Sequence, residues 1–155
     1  MLSLQIISPA ELLCLQETAR CFHPDMTPNG SSNYYSRQRL QLSQWGFPHE
    51  LQTELARRAV VMAPQSLWLN EVQVGKEAEE MHVDASDGTA ITFVNDDFEG
   101  GALEYEDGGE LRRIIPQAGH TAILLNKMRH RVLPLASGVR YTAVIFFKLE
   151  VRGLL

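Results

Sequence analysis

The chain has 155 residues, of which 45% are hydrophobic and 21% charged, and a formal net charge of -5. That suffices for one domain with a buried core and is ordinary for a soluble globular protein. No Lys/Arg run exceeds a pair, which disfavours duplex nucleic acid as a partner, and no apolar run approaches the ~20 residues of a membrane helix.

In chain order, the opening MLSLQIISPAELL lacks the basic start of a signal peptide. Instead Ser8 reads as a helix N-cap, Pro9 as the first helical residue, and Glu11 as the acid closing a capping box. Leu12, Leu15, Ala19 and Phe22 follow at helical spacing and are expected to face a core. Cys14 and Cys21 fall on this helix, two turns apart, too distant for a disulfide, and are read as free thiols, buried or part-buried. A reducing, cytoplasmic setting is the expectation. Residues 23–33 are rich in turn formers and read as a long loop. Tyr34, Tyr35, Arg37, Arg39 and Trp45 beyond it are either a lid over a ligand or packing between helices and sheet. A second helix is expected from near Pro48 to Val61, broken at Ala63-Pro64.

From Ser66 the pattern changes to short segments of β-branched and aromatic residues separated by turn formers: 67–74, 80–84, 89–95, 102–106, 110–115, 120–126, 130–135 and 139–149. Asp107-Gly108-Gly109 predicts a tight hairpin turn, and Gly100-Gly101 reads as a turn rather than a phosphate loop, since no helix follows. Roughly eight strands after two helices predict a mainly β, α+β domain, a closed or sandwich-like antiparallel fold with the helices outside. The whole chain, 1–155, is read as one domain, with 1–65 a helical support and loop and 66–150 the β core.

His82 and Asp84 stand two apart on one predicted strand and share a face, so they can reach one metal ion together. A third protein ligand is needed. Of His23, His49, His120 and His130, the last is the best candidate, because it opens a strand after the polar turn 126–129. Two histidines and a carboxylate make a facial triad with open positions, which suits Fe(II) binding an organic cosubstrate and O2. Structural zinc would close its shell, usually with cysteine, and neither cysteine lies near. Val83, between the ligands, is expected to turn into the packing layer, while Leu124, Leu125, Val144, Ile145 and Phe146 read as core. Glu79, Glu80, Asp96, Asp97 and Glu99 read as solvated loop charges.

Arg140 lies ten residues after His130, across the Pro134–Gly138 turn, on what reads as an adjacent strand. Pointing inward, its planar fork would hold a carboxylate bidentately while staying charged, and Thr142 on the same face would add a hydroxyl. A bound dicarboxylate explains such a pair.

Taken together, His82-Val83-Asp84, His130 and Arg140 resemble the prolyl 4-hydroxylase-like branch of the 2-oxoglutarate- and Fe(II)-dependent oxygenases. The stretch TAITFVNDDFEGGALEY (89–105) is similar to that family's Thr-x-Ile-x-Tyr-Leu-Asn…Gly-Gly-x-Leu-x-Phe region. PQAGHTAILLNKMRHRVLPLASGVRY (116–141) is similar to its Pro-x-x-Gly…His-x-Val-x-Pro-Val…Gly-x-Arg-Tyr region. The resemblance spans about residues 66 to 149. It departs where many members carry tyrosines: Val72 or Gln73, and Phe93, stand there instead. It implies a double-stranded β-helix (jelly-roll) barrel with Fe(II) on His82, Asp84 and His130, and 2-oxoglutarate held at its far carboxylate by Arg140 and Thr142. O2 would be the other cosubstrate and ascorbate the reductant. The implied activity is a dioxygenase hydroxylating a C–H bond of a peptidyl, prolyl among them, or small-molecule substrate, with release of succinate and CO2. Asp84 argues against a halogenase, which needs a small residue there. The alternatives are a non-catalytic cupin-like metal- or ligand-binding module, and an oxygenase acting on a nucleobase or free amino acid.

Overall fold

The computed structural model describes residues 2–22, 34–75 and 79–150. In chain order the elements are β1 (Leu2–Leu4), α1 (Pro9–Arg20), β2 (Tyr34–Leu40), a 3-10 turn (Leu42–Gln44), α2 (Phe47–Ala56), β3 (Met62–Val72), β4 (Gly88–Phe93), β5 (Glu99–Gly100), β6 (Leu103–Asp107), β7 (Glu110–Ile114), β8 (Thr121–Leu125), β9 (His130–Val132), β10 (Leu135–Ser137) and β11 (Arg140–Leu149).

Ser8 caps α1 through its side chain, which accepts the Glu11 amide at 3.1 Å. The Glu11 carboxylate does not return to the cap as the capping box predicts. It accepts the Phe47 amide at 2.8 Å and so joins the start of α2 to α1. Leu15, Ala19 and Phe22 are buried as their spacing predicts, with Leu12 packed against them. Cys14 and Cys21 are free but exposed, not buried, because that stripe leaves them on the solvent side. The second helix is shorter than predicted. It ends at Ala56, and Ala63-Pro64 belongs to β3 rather than to a break. Pro64 is tolerated because the β3–β11 register shifts there: Ser66 pairs with Phe146 and Pro64 with Phe147.

All pairings are antiparallel. Six strands form one sheet in the order β1-β8-β4-β11-β3-β2, facing a three-stranded sheet, β7-β6-β9, and a two-stranded piece, β10-β5. Strands β1 and β2 were not foreseen. Both are edge strands of the large sheet, and YYSRQRL is too polar to read as one.

Alternation sorts the large sheet's residues between two layers. Leu67, Leu69, Ala90, Ile123, Ala143, Ile145 and Phe147 face α1 and α2, packing with Leu15, Phe47, Leu51 and Leu55. Ile91, Phe93, Ala122, Leu124 and Val144 face the other way, onto Leu103 of β6. This second layer is the interior of a jelly roll. It stays an open sandwich, and no closed barrel forms among the described residues. In the two-stranded piece, Gly100 has a φ of 79° that only glycine adopts readily; a Cβ there would sit 2.5 Å from the Pro134 carbonyl oxygen. Gly100-Gly101 is thus a close strand approach, with the Gly101 amide donating to Pro134 at 3.0 Å, rather than a simple turn. The predicted Asp107-Gly108-Gly109 turn joins β6 to β7, with Asp107 opposite Glu110.

Candidate metal centre and cavity

His82 is placed by the backbone of His130. Its amide donates to the His130 carbonyl at 3.0 Å, and its carbonyl accepts the His130 amide at 2.9 Å. The pair is an isolated bridge, so the predicted 80–84 strand is reduced to one rung at the edge of the small sheet. A directly opposed pair puts both side chains on one face. The ring centroids lie 4.5 Å apart.

Asp84 completes the group. Its Oδ1 is 3.6 Å from His82 Nε2 and its Oδ2 is 3.4 Å from His130 Nε2, and one ligand atom from each residue falls within 4.8 Å of the others. Each histidine turns Nδ1 to a backbone carbonyl: Nδ1 of His82 meets that of Glu80 at 2.8 Å, and Nδ1 of His130 meets that of Met128 at 2.9 Å. With Nδ1–H donated to a carbonyl, Nε2 is the ring nitrogen left to face a metal. The Thr89 hydroxyl donates a short hydrogen bond to Asp84 Oδ2. Lys127 Nζ fixes the turn behind it by donating to the carbonyls of Ala85 at 2.9 Å and Ser86 at 2.6 Å.

The electrostatics follow from the contact between the carboxylate and the imidazoles. The Asp84 carboxylate raises the His82 pKa from 6.5 to about 9, against burial, which lowers it. Burial pushes Asp84 up, but the His82 and Thr89 contacts outweigh it and hold the carboxyl below its usual range.

The triad opens into a cavity of about 100 Å³ between the sheets. Side-chain exposure is 36% for His82 and 6% for His130, so the opening lies on the His82 side. Arg140 and Thr142, each 1% exposed, line the same cavity. Arg140 is not on a strand adjacent to His130, as predicted. It begins β11 of the large sheet, while His130 begins β9 of the small one, and the two meet across the cavity. The Arg140 Cζ lies 5.5 Å from the centroid of the Phe93 ring.

The remaining sequence candidates fall elsewhere. His49 is exposed on α2, His120 precedes β8 outside the triad, and His23 lies outside the described residues. Arg39 is exposed over the Trp68 ring at 5.9 Å, and Trp45 packs edge-on against Phe47; the side chains of Tyr34, Tyr35 and Arg37 lie outside the described residues. Glu79 is no solvated loop charge: it lines the cavity and accepts the Val132 amide at 3.2 Å. Val83 is 48% exposed rather than packed, since a one-rung edge segment has solvent on its other side. Sequence reasoning missed Trp68, Asn70 and Thr89 as cavity residues. Asn70 shares the cavity face of β3 with Trp68, but that strand also carries Gln65, Ser66 and Glu71, so its polarity alone gave no signal.

Fold and site together define a jelly-roll protein with a two-histidine, one-carboxylate group at the mouth of the cavity holding Arg140. Its fold is that of the 2-oxoglutarate- and Fe(II)-dependent oxygenases, prolyl hydroxylases among them. A Pseudomonas putida prolyl-4-hydroxylase superposes with a TM-score of 0.68 at 16% identity, over 96% of this chain and 92% of that one. A Trichoplax adhaerens prolyl hydroxylase, in complex with a hypoxia inducible factor peptide fragment, gives 0.71 at 11% identity over 95% and 82%. HygX from Streptomyces hygroscopicus, with nickel, 2-oxoglutarate and hygromycin B bound, gives 0.67 at 12% over 95% and 82%. No protein-family model and no curated protein matches the chain. Among the described residues, no helix is long and apolar enough to cross a membrane.

Proposed function

We propose that the protein, as a single domain, is an Fe(II)- and 2-oxoglutarate-dependent dioxygenase that hydroxylates a C–H bond of a peptidyl or small-molecule substrate. The observation that carries this is the joint geometry of the triad and Arg140. Two Nε2 atoms and a carboxylate converge with both Nδ1 atoms already committed to backbone carbonyls, and a buried guanidinium lies in the same cavity.

The residues fit the groups this reading requires. His82, Asp84 and His130 offer two neutral nitrogens and one anionic oxygen, a donor set suited to Fe(II) with positions left open. Arg140 supplies a fixed positive charge for the far carboxylate of 2-oxoglutarate, with the Thr142 hydroxyl beside it. Between these ends the cavity is apolar, lined by Ile91, Leu103, Val132 and Val144, as an aliphatic chain requires. When bound, iron and its cosubstrates supply the oxidising chemistry, in which O2 and 2-oxoglutarate yield succinate, CO2 and a hydroxylated substrate. The chain's own part is to orient. Glu80 and Met128 fix the imidazoles, Thr89 fixes the carboxylate, and the apolar belt limits water around the reacting centre. Substrate enters from the His82 side.

The test is succinate release from 2-oxoglutarate in the presence of Fe(II) and ascorbate, the expected reductant. Slow uncoupled release is expected, abolished in His82→Ala. Binding of metal and 2-oxoglutarate without succinate from any candidate substrate would favour the non-catalytic cupin-like module instead.

A further inference from the structure

We infer that Asn70 is a positioning residue for the cosubstrate, giving the far carboxylate of 2-oxoglutarate a directional hydrogen bond that Arg140 alone does not provide; this rests on the function proposed above. Asn70 is 3% exposed and lines the cavity. Its Oδ1 is buried without a hydrogen-bond partner among the described residues. A buried amide oxygen left unsatisfied is destabilising, so the carboxamide at this place needs a reason.

Strand register supplies one. On the cavity face, Asn70 of β3 is paired with Thr142 of β11, which is paired on its other side with Phe93 of β4. The three form one row across the sheet. The Arg140 guanidinium lies against Phe93 and therefore reaches that row. The next row towards the triad is Trp68, Val144 and Ile91, all apolar in contact, and the one after it includes Thr89, the hydrogen-bond partner of Asp84. On the large sheet the polar groups at this end of the cavity are therefore Asn70 and Thr142 in one row and Arg140, opposite Val72, in the next. Directly opposed side chains lie about 5 Å apart at Cβ, within reach of each other. Asn70 stands opposite Thr142, and because the two ends of a carboxamide exchange by a simple flip, an Nδ2–H can be presented to a carboxylate oxygen in the cavity. The amide thereby fixes where a carboxylate sits relative to the metal, so it sets the length of the acid that fits.

The experiment measures binding of two acids to Ni(II)-loaded protein by calorimetry or competition: 2-oxoglutarate, and 2-oxobutanoate, which lacks the far carboxylate. Asn70→Ala is expected to weaken 2-oxoglutarate about tenfold or more while leaving 2-oxobutanoate within twofold, with Ni(II) affinity unchanged. Asn70→Asp, of equal size, is expected to weaken 2-oxoglutarate further by charge repulsion. Equal losses for both acids would reduce Asn70 to a packing role, and no loss for either would remove it from the site; each outcome overturns the inference. If the wild-type protein binds Ni(II) but neither acid, the proposed function itself fails, a result distinct from any effect of the variants.

Discussion

His82 and His130 are paired through their backbones, each amide donating to the other's carbonyl, at 3.0 and 2.9 Å. Two residues 48 positions apart in the chain thereby present their imidazoles side by side, and Asp84 needs only one further residue of extended chain to join them. Backbone pairing, rather than side-chain contact, sets the two imidazoles side by side.

That arrangement extends to the acid through Thr89. Thr89→Val keeps the shape but removes the donor to Asp84 Oδ2. Loss of such an outer partner lowers metal affinity about 10- to 100-fold. Ni(II) or Co(II) titration of the variant checks this, and an affinity equal to wild type would show that Asp84 is oriented without it.

A second prediction concerns protons. His82 is raised from 6.5 to about 9 by Asp84 when no metal is bound. The pairing therefore stabilises the metal-free fold fully below the unfolded value of 6.5, and the contribution is lost as pH rises through about 9. A metal must displace that same proton, so Ni(II) affinity is expected to climb by about tenfold per pH unit between those two values. Competition titrations at several pH values test it; a flat profile would contradict the assigned protonation of His82.

Gly100 is expected to resist substitution. Its φ is 79°, and a Cβ would meet the Pro134 carbonyl oxygen at 2.5 Å. Gly100→Ala combines left-handed strain with a backbone clash, for a loss of about 2 kcal/mol or more. Thermal unfolding measures it, and an unchanged midpoint would mean that β5 and β10 do not meet as described.

Glu104 offers a test on the outer face of the small sheet. It is 2% exposed between Arg131, at 2.6 Å, and Arg113, at 2.9 Å, and these arginines hold its carboxyl below the usual range. A depressed carboxyl stabilises above its unfolded pKa and stops doing so as pH falls. Glu104→Gln is expected to lower the unfolding midpoint at neutral pH and to flatten its decline in acid. An acid limb identical to wild type would contradict the pairing.

How much of this was legible in the sequence differs by residue. His82, Asp84, His130, Arg140 and Thr142 could be singled out because strand periodicity and spacing are local properties, and the structure brings all five to one cavity. Which sheet each belongs to was not legible. Arg140 faces His130 across the interior because the chain leaves the small sheet after β9, passes through β10 and enters the large sheet at β11, a choice that long-range pairing decides. Asn70 was hidden for a related reason: its meaning lies in being opposite Thr142, and no local pattern reports a cross-strand partner. β2 went unseen because an edge strand needs little apolar sequence, and Val83 was misread because one rung of pairing does not bury the outer face.

One cavity is expected to bind a metal at His82, Asp84 and His130 and a dicarboxylate reaching from it to Arg140. Calorimetric titration of 2-oxoglutarate into the protein with and without Ni(II) tests both halves at once. Metal-dependent binding is expected, weakened by at least tenfold in Arg140→Ala while Ni(II) affinity holds. Metal-loaded wild-type protein that takes up no 2-oxoglutarate would contradict the account.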